Sequence, residues 1–430
     1  MRNYLSNITP DSFSGIIFAL EGVSRTAVLL NGPTGCKFYH SALSDNQCIR
    51  QFEFDPLNYP EKGYFGQPRL PCTYLDNSDY VYGSRDKLEE ALTFLRDQVP
   101  CELLCIVNSP GAALIGDDLK GIAGQIIRDR PVITIETPDF SSDVCSGYET
   151  AAIELIKQLL PPRSEEIMPA TVNLLGLSIY HRNYAGDIAE LKRIMGLCGI
   201  AVNCILCADC SIESIRRIPD AALNIVIRPE YGMRTAKFLQ EQYDTPAYIC
   251  AGPPVGFAAT EKLMREVCTI LGNDIVDFTM DSEKARAKAY AYISRVNSLT
   301  GLPKGVNFAV EGTYSELYAY ISFLTRYFGM IPECASVLNE QTDSYKDHLF
   351  GLLNELGLPQ ALNRDIRQTK SELVFASGNT IAMLKLRRHV FTGIEISLPS
   401  LGYVDVIPKT HLGIQGALLL TEQVINGLLF

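Results

Sequence analysis

Leu29-Leu30-Asn31-Gly32-Pro33-Thr34-Gly35-Cys36-Lys37-Phe38-Tyr39-His40 is the stretch around which this chain is organised. An apolar run from Thr26 to Leu30 stops abruptly at Asn-Gly-Pro-Thr-Gly, a cysteine follows, and the next segment can start a helix. That order spells a strand whose C-terminal end turns through two glycines and delivers a thiol beside a helix N-terminus. Glycine lets the backbone approach a ligand closely. The free N–H groups and dipole of such a terminus favour a thiolate and any anionic cluster bound to it. An ordinary small buried cysteine is the competing reading of Cys36.

Outward from this turn, strand and helix patterns alternate. Residues 103–107 and 131–137 read as buried strands, preceded by a helix face of Leu88, Ala91, Leu92 and Leu95. A linker-like Pro161-Pro162-Arg163-Ser164-Glu165-Glu166 then introduces a second set. Its strands fall at 172–177, 201–206, 223–227 and 247–250, with Ile188, Leu191, Ile194, Met195 and Leu197 on a helix face. A third set begins near residue 301, with strands at 306–310, 373–376 and 394–396 and a helix start at Thr313-Tyr314-Ser315-Glu316. A helix over 411–428 closes the chain. Such alternation predicts parallel sheets. The expected fold class is α/β, as three Rossmann-like doubly wound domains over residues 1–165, 166–300 and 301–430.

A chain of 430 residues is too long for one ordinary core. Its 47% hydrophobic and 20% charged residues exclude disorder. A net charge of -11 excludes nucleic acid as the main partner. No stretch approaches the roughly 20 uncharged residues a membrane-spanning helix needs, and Met1-Arg2-Asn3-Tyr4-Leu5-Ser6-Asn7 lacks the apolar core of a secretion signal. A cytoplasmic protein with no membrane partner is expected. Thirteen irregularly spaced cysteines then read as buried thiols plus metal or cluster ligands, not as a disulfide framework. There is no phosphate-binding G-x-x-x-x-G-K-[ST], so this chain should not hydrolyse ATP, and no dinucleotide fingerprint.

Ligands of open parallel sheets bind beyond the C-terminal strand ends, where the central unit carries Tyr180-His181-Arg182-Asn183 and Arg228-Pro229-Glu230. A polar cleft lined by His181, Arg228 and Glu230 is one candidate site, with plain loop chemistry as its alternative. Cys204-x-x-Cys207-x-x-Cys210 has the spacing of iron–sulfur ligand runs. Against it, Cys204 sits inside a predicted strand and no fourth ligand lies nearby, so packing is the competing reading. Residues 41–80, with Cys48 and Cys72, form a long irregular loop of the kind that carries function. Cys101, Cys105, Cys250, Cys268 and Cys334 read as core.

Asn31-Gly32-Pro33-Thr34-Gly35-Cys36, Ala113-Leu114-Ile115-Gly116-Asp117-Asp118 and Thr137-Pro138-Asp139-Phe140 resemble, in order and spacing, the first domain of nitrogenase component 1. Val172-Asn173-Leu174-Leu175-Gly176, Leu223-Asn224-Ile225-Val226 and Gly252-Pro253-Pro254-Val255-Gly256 resemble the second domain of that superfamily. They are closest to its β-type subunits, including the dark-operative protochlorophyllide reductase branch. His411-Leu412-Gly413-Ile414-Gln415-Gly416-Ala417 resembles the start of its C-terminal helix.

The resemblance covers essentially the whole chain. It implies a subunit that pairs, often as an α2β2 heterotetramer, with a homologous α-type component 1 subunit or with a copy of itself. It also implies bridging iron–sulfur clusters and electrons received from a nitrogenase-like ATP-hydrolysing iron protein.

Carried over by position, Cys36 falls on the family's Gly-Cys cluster ligand, with Gly35 and Ser109 at cluster-binding positions. Asp11 stands where β-type nitrogenase subunits place an earlier cysteine, and Ser109-Pro110 where another precedes Gly-Asp-Asp. Asp143 and Cys145 stand near the family's serine ligand. These departures point to a four-iron (4Fe-4S) cluster over a full eight-iron P-cluster. The ligand pool in this chain is Cys36, Cys72, Cys145, Asp11 and Asp143, and an oxygen ligand would alter the potential. Arg228-Pro229 stands near the place of the cysteine that holds the molybdenum cofactor in α subunits, so that cofactor is not expected to be held in the same way.

The expected function is electron relay as a β-type subunit of a nitrogenase-like reductase, with His181, Arg228 and Glu230 as catalytic candidates and His181 or Glu230 supplying protons. A cofactor-assembly scaffold of the same superfamily is the alternative.

Overall fold

Strand β1 (Thr26–Asn31) is buried at every position, as is β2 (Leu103–Asn108). This is what a strand covered on both faces requires, and it explains their unbroken apolar runs. With β3 (Val132–Ile135) they form a parallel sheet in the order β1-β2-β3. The computed structural model describes residues 10–33, 35–36, 70–136, 142–159, 167–338, 345–397 and 405–429. Cys48, the motif at 137–140 and the linker at 161–166 lie outside the described residues.

The central sheet contains β4 (Met168–Leu175), β5 (Ala201–Ile205), β6 (Ala221–Val226) and β7 (Ala247–Ile249), in the order β5-β4-β6-β7. The third contains β8 (Asn307–Gly312), β9 (Ile331–Val337), β10 (Leu373–Ser377) and β11 (Thr392–Ser397), in the order β11-β10-β8-β9. Every pairing in the three sheets is parallel. The α/β expectation of three parallel-sheet units therefore holds.

Several elements escaped the sequence pattern, and two of them show why. Strand β9 begins Ile331-Pro332, and proline reads as a strand breaker; β9 is the edge strand, the one place where a missing N–H is tolerated. The helix Val276–Thr300 buries only Phe278, Ser282, Ala285 and Ala289. A stripe of mostly small residues carries little periodic signal.

Two joints position the sites. The helices Ser12–Glu21 and Val144–Leu159 begin side by side, where Ser12 N–H donates to Ser142 O at 3.1 Å and Asp11 bridges Asp143. The C-terminal helix Gly413–Leu429 is docked on the central unit. Buried Glu190, on the helix Tyr184–Leu197, accepts the N–H groups of Ile414 and Gln415 at 2.9 and 3.0 Å, using a carboxylate to cap a helix N-terminus.

Candidate functional site

The end of β1 is gripped by a short parallel graft. Leu30 N–H donates to Pro71 O at 2.9 Å, Thr73 N–H to Leu30 O at 3.0 Å and Leu75 N–H to Gly32 O at 3.2 Å. The resulting bridge of Leu30 with Cys72 brings that cysteine to the strand end.

Asn31 and Asn108 occupy matching positions on β1 and β2. Asn31 Nδ2 donates to Asn108 Oδ1 at 2.9 Å and to Ser84 Oγ at 3.1 Å, while Thr73 Oγ1 donates to Asn31 Oδ1 at 2.9 Å. Ser84 Oγ in turn donates to Asp117 Oδ2 at 2.6 Å. A buried polar network with its members satisfied holds one backbone geometry. Gly32 then passes Ser109 so closely that a Cβ would lie 2.5 Å from Ser109 Oγ, so a larger residue would displace the turn.

On this floor sits Cys36, half-buried and in helical conformation, its N–H donating to Pro33 O at 3.2 Å. Burial first, then the Asp11 carboxylate and the Cys72 thiol, raise its pKa, and a hydrogen bond with Ser109 opposes them. Several potential anions therefore lie close together, an arrangement that a bound metal compensates. Asp11 caps the helix Ser12–Glu21 with Oδ1, which accepts from Ser14 N–H and Ser14 Oγ, both at 3.0 Å. Asp143 caps the helix Val144–Leu159 through Ser146 N–H at 2.8 Å.

The structure thus brings together Cys36, Cys72, Asp11 and Ser109. Cys145 is buried and bonded to Tyr231. Among the described residues, nothing lies within 4 Å of where a Cβ on Gly35 would point. Tyr80 was missed by the sequence reading: its ring lies against Gly111, close to Ser109 and Cys36. Among the described residues no group of three or more His, Cys, Asp or Glu can hold a metal ion alone. What these donors fit is part of a ligand set.

His181, Arg228 and Glu230 do not line an open cleft; all three are buried, and Arg228 and Glu230 lie in the seam between the central and third units. Arg228 meets Asp187 at 3.4 Å and Glu316 at 3.3 Å. Glu230 accepts from Ser315 N–H at 2.8 Å and Ser315 Oγ at 2.5 Å, capping the helix Tyr314–Phe328. Burial holds the Glu230 carboxyl above its ordinary value. Burial, and then Arg228, hold His181 well below the usual imidazole range. Ser178 N–H donates to His181 Nδ1 at 3.0 Å, so the neutral ring carries its proton on Nε2, which has no hydrogen-bond partner among the described residues. A cavity of about 380 Å³ that none of the three lines is bounded by Arg182, Glu395, Asp405, Lys409 and His411. Arg182 pairs there with Asp405 and, at 3.6 Å, with Glu395.

Cys204, Cys207 and Cys210 are packed into the joint between the first and central units. All three are buried, and Cys207 N–H donates to Cys210 Sγ at 3.3 Å. Ser24 N–H donates to Cys210 O at 2.7 Å, and a methyl group on Gly22 would collide with the Cys207 carbonyl oxygen.

Comparison with known proteins agrees with this architecture. A family model described as nitrogenase component 1 type oxidoreductase matches residues 12–429. A light-independent protochlorophyllide reductase chain from Chloroflexus aurantiacus is 24% identical over 374 residues, covering 83% of this chain and 67% of that protein. The nitrogenase molybdenum-iron protein beta chain of Methanococcus maripaludis is 23% identical over 474 residues, covering 96% of this chain and 92% of that one. A solved structure described as "Nitrogenase Cp1 at pH 6.5" has the same fold, with a TM-score of 0.79 at 15% identity over 98% of this chain and 92% of its own. With its three parallel sheets and a match over nearly its whole length, this chain belongs to the nitrogenase component 1 type oxidoreductases.

Proposed function

We propose that this chain is a β-type subunit of a nitrogenase-like reductase. It would hold an iron–sulfur cluster at a subunit interface and relay electrons from an ATP-dependent iron protein to a reducible substrate. The observation that carries this reading is the half-buried Cys36 thiol with Cys72, Asp11 and Ser109 around it, in a member of this family.

Cys36 is the proposed thiolate ligand. Asp11, whose described hydrogen bonds all fall on Oδ1, offers its second oxygen, and Cys72 is the nearest further thiol. Asp143 and Cys145 are reserve donors that would have to leave Ser146 and Tyr231. The bound cluster, a four-iron one in this reading, supplies one-electron redox chemistry. Ser109 and Gly35 shape its seat, and Asn31, Asn108 and Thr73 keep the strand end rigid.

An α-type subunit, or a second copy, would cover the half-buried Cys36 beside exposed Tyr80 and add the remaining ligands. Glu230, whose carboxyl burial holds above its ordinary value, is the proposed proton source, with the neutral His181 as a hydrogen-bond donor through Nε2 and Arg228 keeping the seam in register. Domain limits at 165/166 and 300/301 belong to the same reading, supported by the three separate sheets.

A second reading, an assembly scaffold, is favoured by the incomplete donor set. The test is anaerobic purification with an α-type partner, followed by addition of an iron protein, dithionite and MgATP. A low-temperature EPR signal that appears on reduction and is lost in Cys36→Ser supports electron relay. An iron-free complex, or a cluster that leaves for an acceptor protein and is never reduced in place, contradicts it.

A further inference from the structure

We propose that the polar cavity between strand β11 and the C-terminal helix is a binding site for a small organic cation, an amine or guanidinium compound that carries its own hydrogen-bonding groups. Its walls come from separate segments: residues 392–395 of β11, Arg182 and Asn183 beyond the end of β4, and one side of the helix Gly413–Leu429. Its volume of about 380 Å³ falls within the range of small-molecule sites, roughly 300–1,000 Å³.

Hydrogen bonds fix the strand and helix walls in one geometry. Thr392 Oγ1 donates to Gly427 O at 2.8 Å. At the buried end, His411 Nε2 lies 2.9 Å from Gln423 Oε1, which can only accept. His411 therefore carries its proton on Nε2 and takes the Tyr320 hydroxyl on Nδ1 at 2.8 Å. The cavity is thus built before any ligand arrives.

Charge decides what it admits. Arg182 Nη1 pairs with Asp405, Arg182 Nε faces Glu395 at 3.6 Å, and Lys409 Nζ meets Asp405 Oδ1 at 3.0 Å. Both cations of the lining are therefore matched by carboxylates of the same wall. Burial pushes His411 down to about 4, so its ring adds no charge at neutral pH. Glu422 is left over. It is an exposed carboxylate at the rim, with no hydrogen bond or ion pair among the described residues. Lys288 lines only the neighbouring groove and forms no ion pair with it among the described residues. Asn426 stands one helical turn on, on the same face and over the same cavity.

Glu395, Asp405 and Glu422 against Arg182 and Lys409 give the lining a net negative charge. An anionic ligand would meet that excess with no cation left unpaired to receive it. An organic cation gains an ion pair with Glu422, and its hydrogen-bonding groups can reach the Asn426, Asn183 and Gln423 amides. None of these residues belongs to the Cys36 loop, so the proposal does not depend on the cluster reading.

The test is calorimetric titration of the full-length protein with three four-carbon probes that differ in charge: aminobutanol, butanediol and hydroxybutyrate. Aminobutanol is expected to bind most tightly and hydroxybutyrate most weakly. Glu422→Gln, a change at an exposed position, should weaken aminobutanol roughly three- to tenfold. Glu355→Gln, whose carboxylate pairs with Arg326 and does not line the cavity, should leave its affinity unchanged. Hydroxybutyrate binding more tightly than aminobutanol would overturn the proposal. So would the absence of aminobutanol binding at millimolar concentration, or an affinity that Glu422→Gln leaves untouched.

Discussion

The Cys36 loop and the Cys204–Cys207–Cys210 loop are both short turns at a strand end, and they use sulfur in opposite ways. The second has three thiols within seven residues and the familiar ligand spacing, yet every one is buried and turned to packing. The first has a single cysteine, half-exposed, with a carboxylate, a second thiol and a serine hydroxyl close by. On the proposed reading, exposure and convergence of donors from separate segments, not thiol density, single out Cys36 as the ligand position.

Five substitutions can break or sharpen that contrast. The largest effect is expected at Gly22, where a Cβ would strike the Cys207 carbonyl: Gly22→Ala should cost about 3 kcal/mol in denaturant unfolding. Gly35→Ala, with no atom of the described residues within 4 Å of the added methyl, should cost under roughly 0.5 kcal/mol. Equal costs would mean the two loops are equally packed.

Next comes Glu149, buried in the same inter-unit joint, where Thr235 N–H donates to it at 3.0 Å. Burial raises its pKa from 4.5 to about 7. Between those values the folded state keeps a proton that the unfolded state loses, so stability falls as pH rises from about 4.5 to about 7 and levels above it. Glu149→Gln should remove on the order of 2–3 kcal/mol of that fall. An unchanged pH–stability curve would place the carboxylate in water.

Cys207→Ser, which exchanges a buried thiol for a hydroxyl, should cost about 2 kcal/mol. Cys36→Ser should change stability by less than about 0.5 kcal/mol. Thermal melts of the two variants side by side check this; a larger loss in Cys36→Ser would make it the structural cysteine.

Much of this architecture is legible in the residues. Apolar runs ending in Asn31 and Asn108 announce β1 and β2, because strands buried on both faces leave no alternation to misread. The Thr313–Glu316 capping box is found where the sequence places a helix start, and its Glu316 also reaches Arg228. The site is harder to read. That Cys72 would reach β1 depends on hydrogen bonds from a segment 40 residues away, and no local pattern encodes that. His181, Arg228 and Glu230 sit at strand ends, as the topological rule requires. Whether a polar side chain there faces solvent or a neighbouring unit depends on how the units dock, and Ser315 and Asp187 decide it.

The most direct measurement is iron and acid-labile sulfide per chain in the anaerobically purified complex, for wild type, Cys36→Ser and Cys207→Ser. Iron that is lost in Cys36→Ser and kept in Cys207→Ser is the expected result. Iron that survives Cys36→Ser, or disappears with Cys207→Ser while the protein stays folded, would contradict the assignment of Cys36 as the cluster ligand.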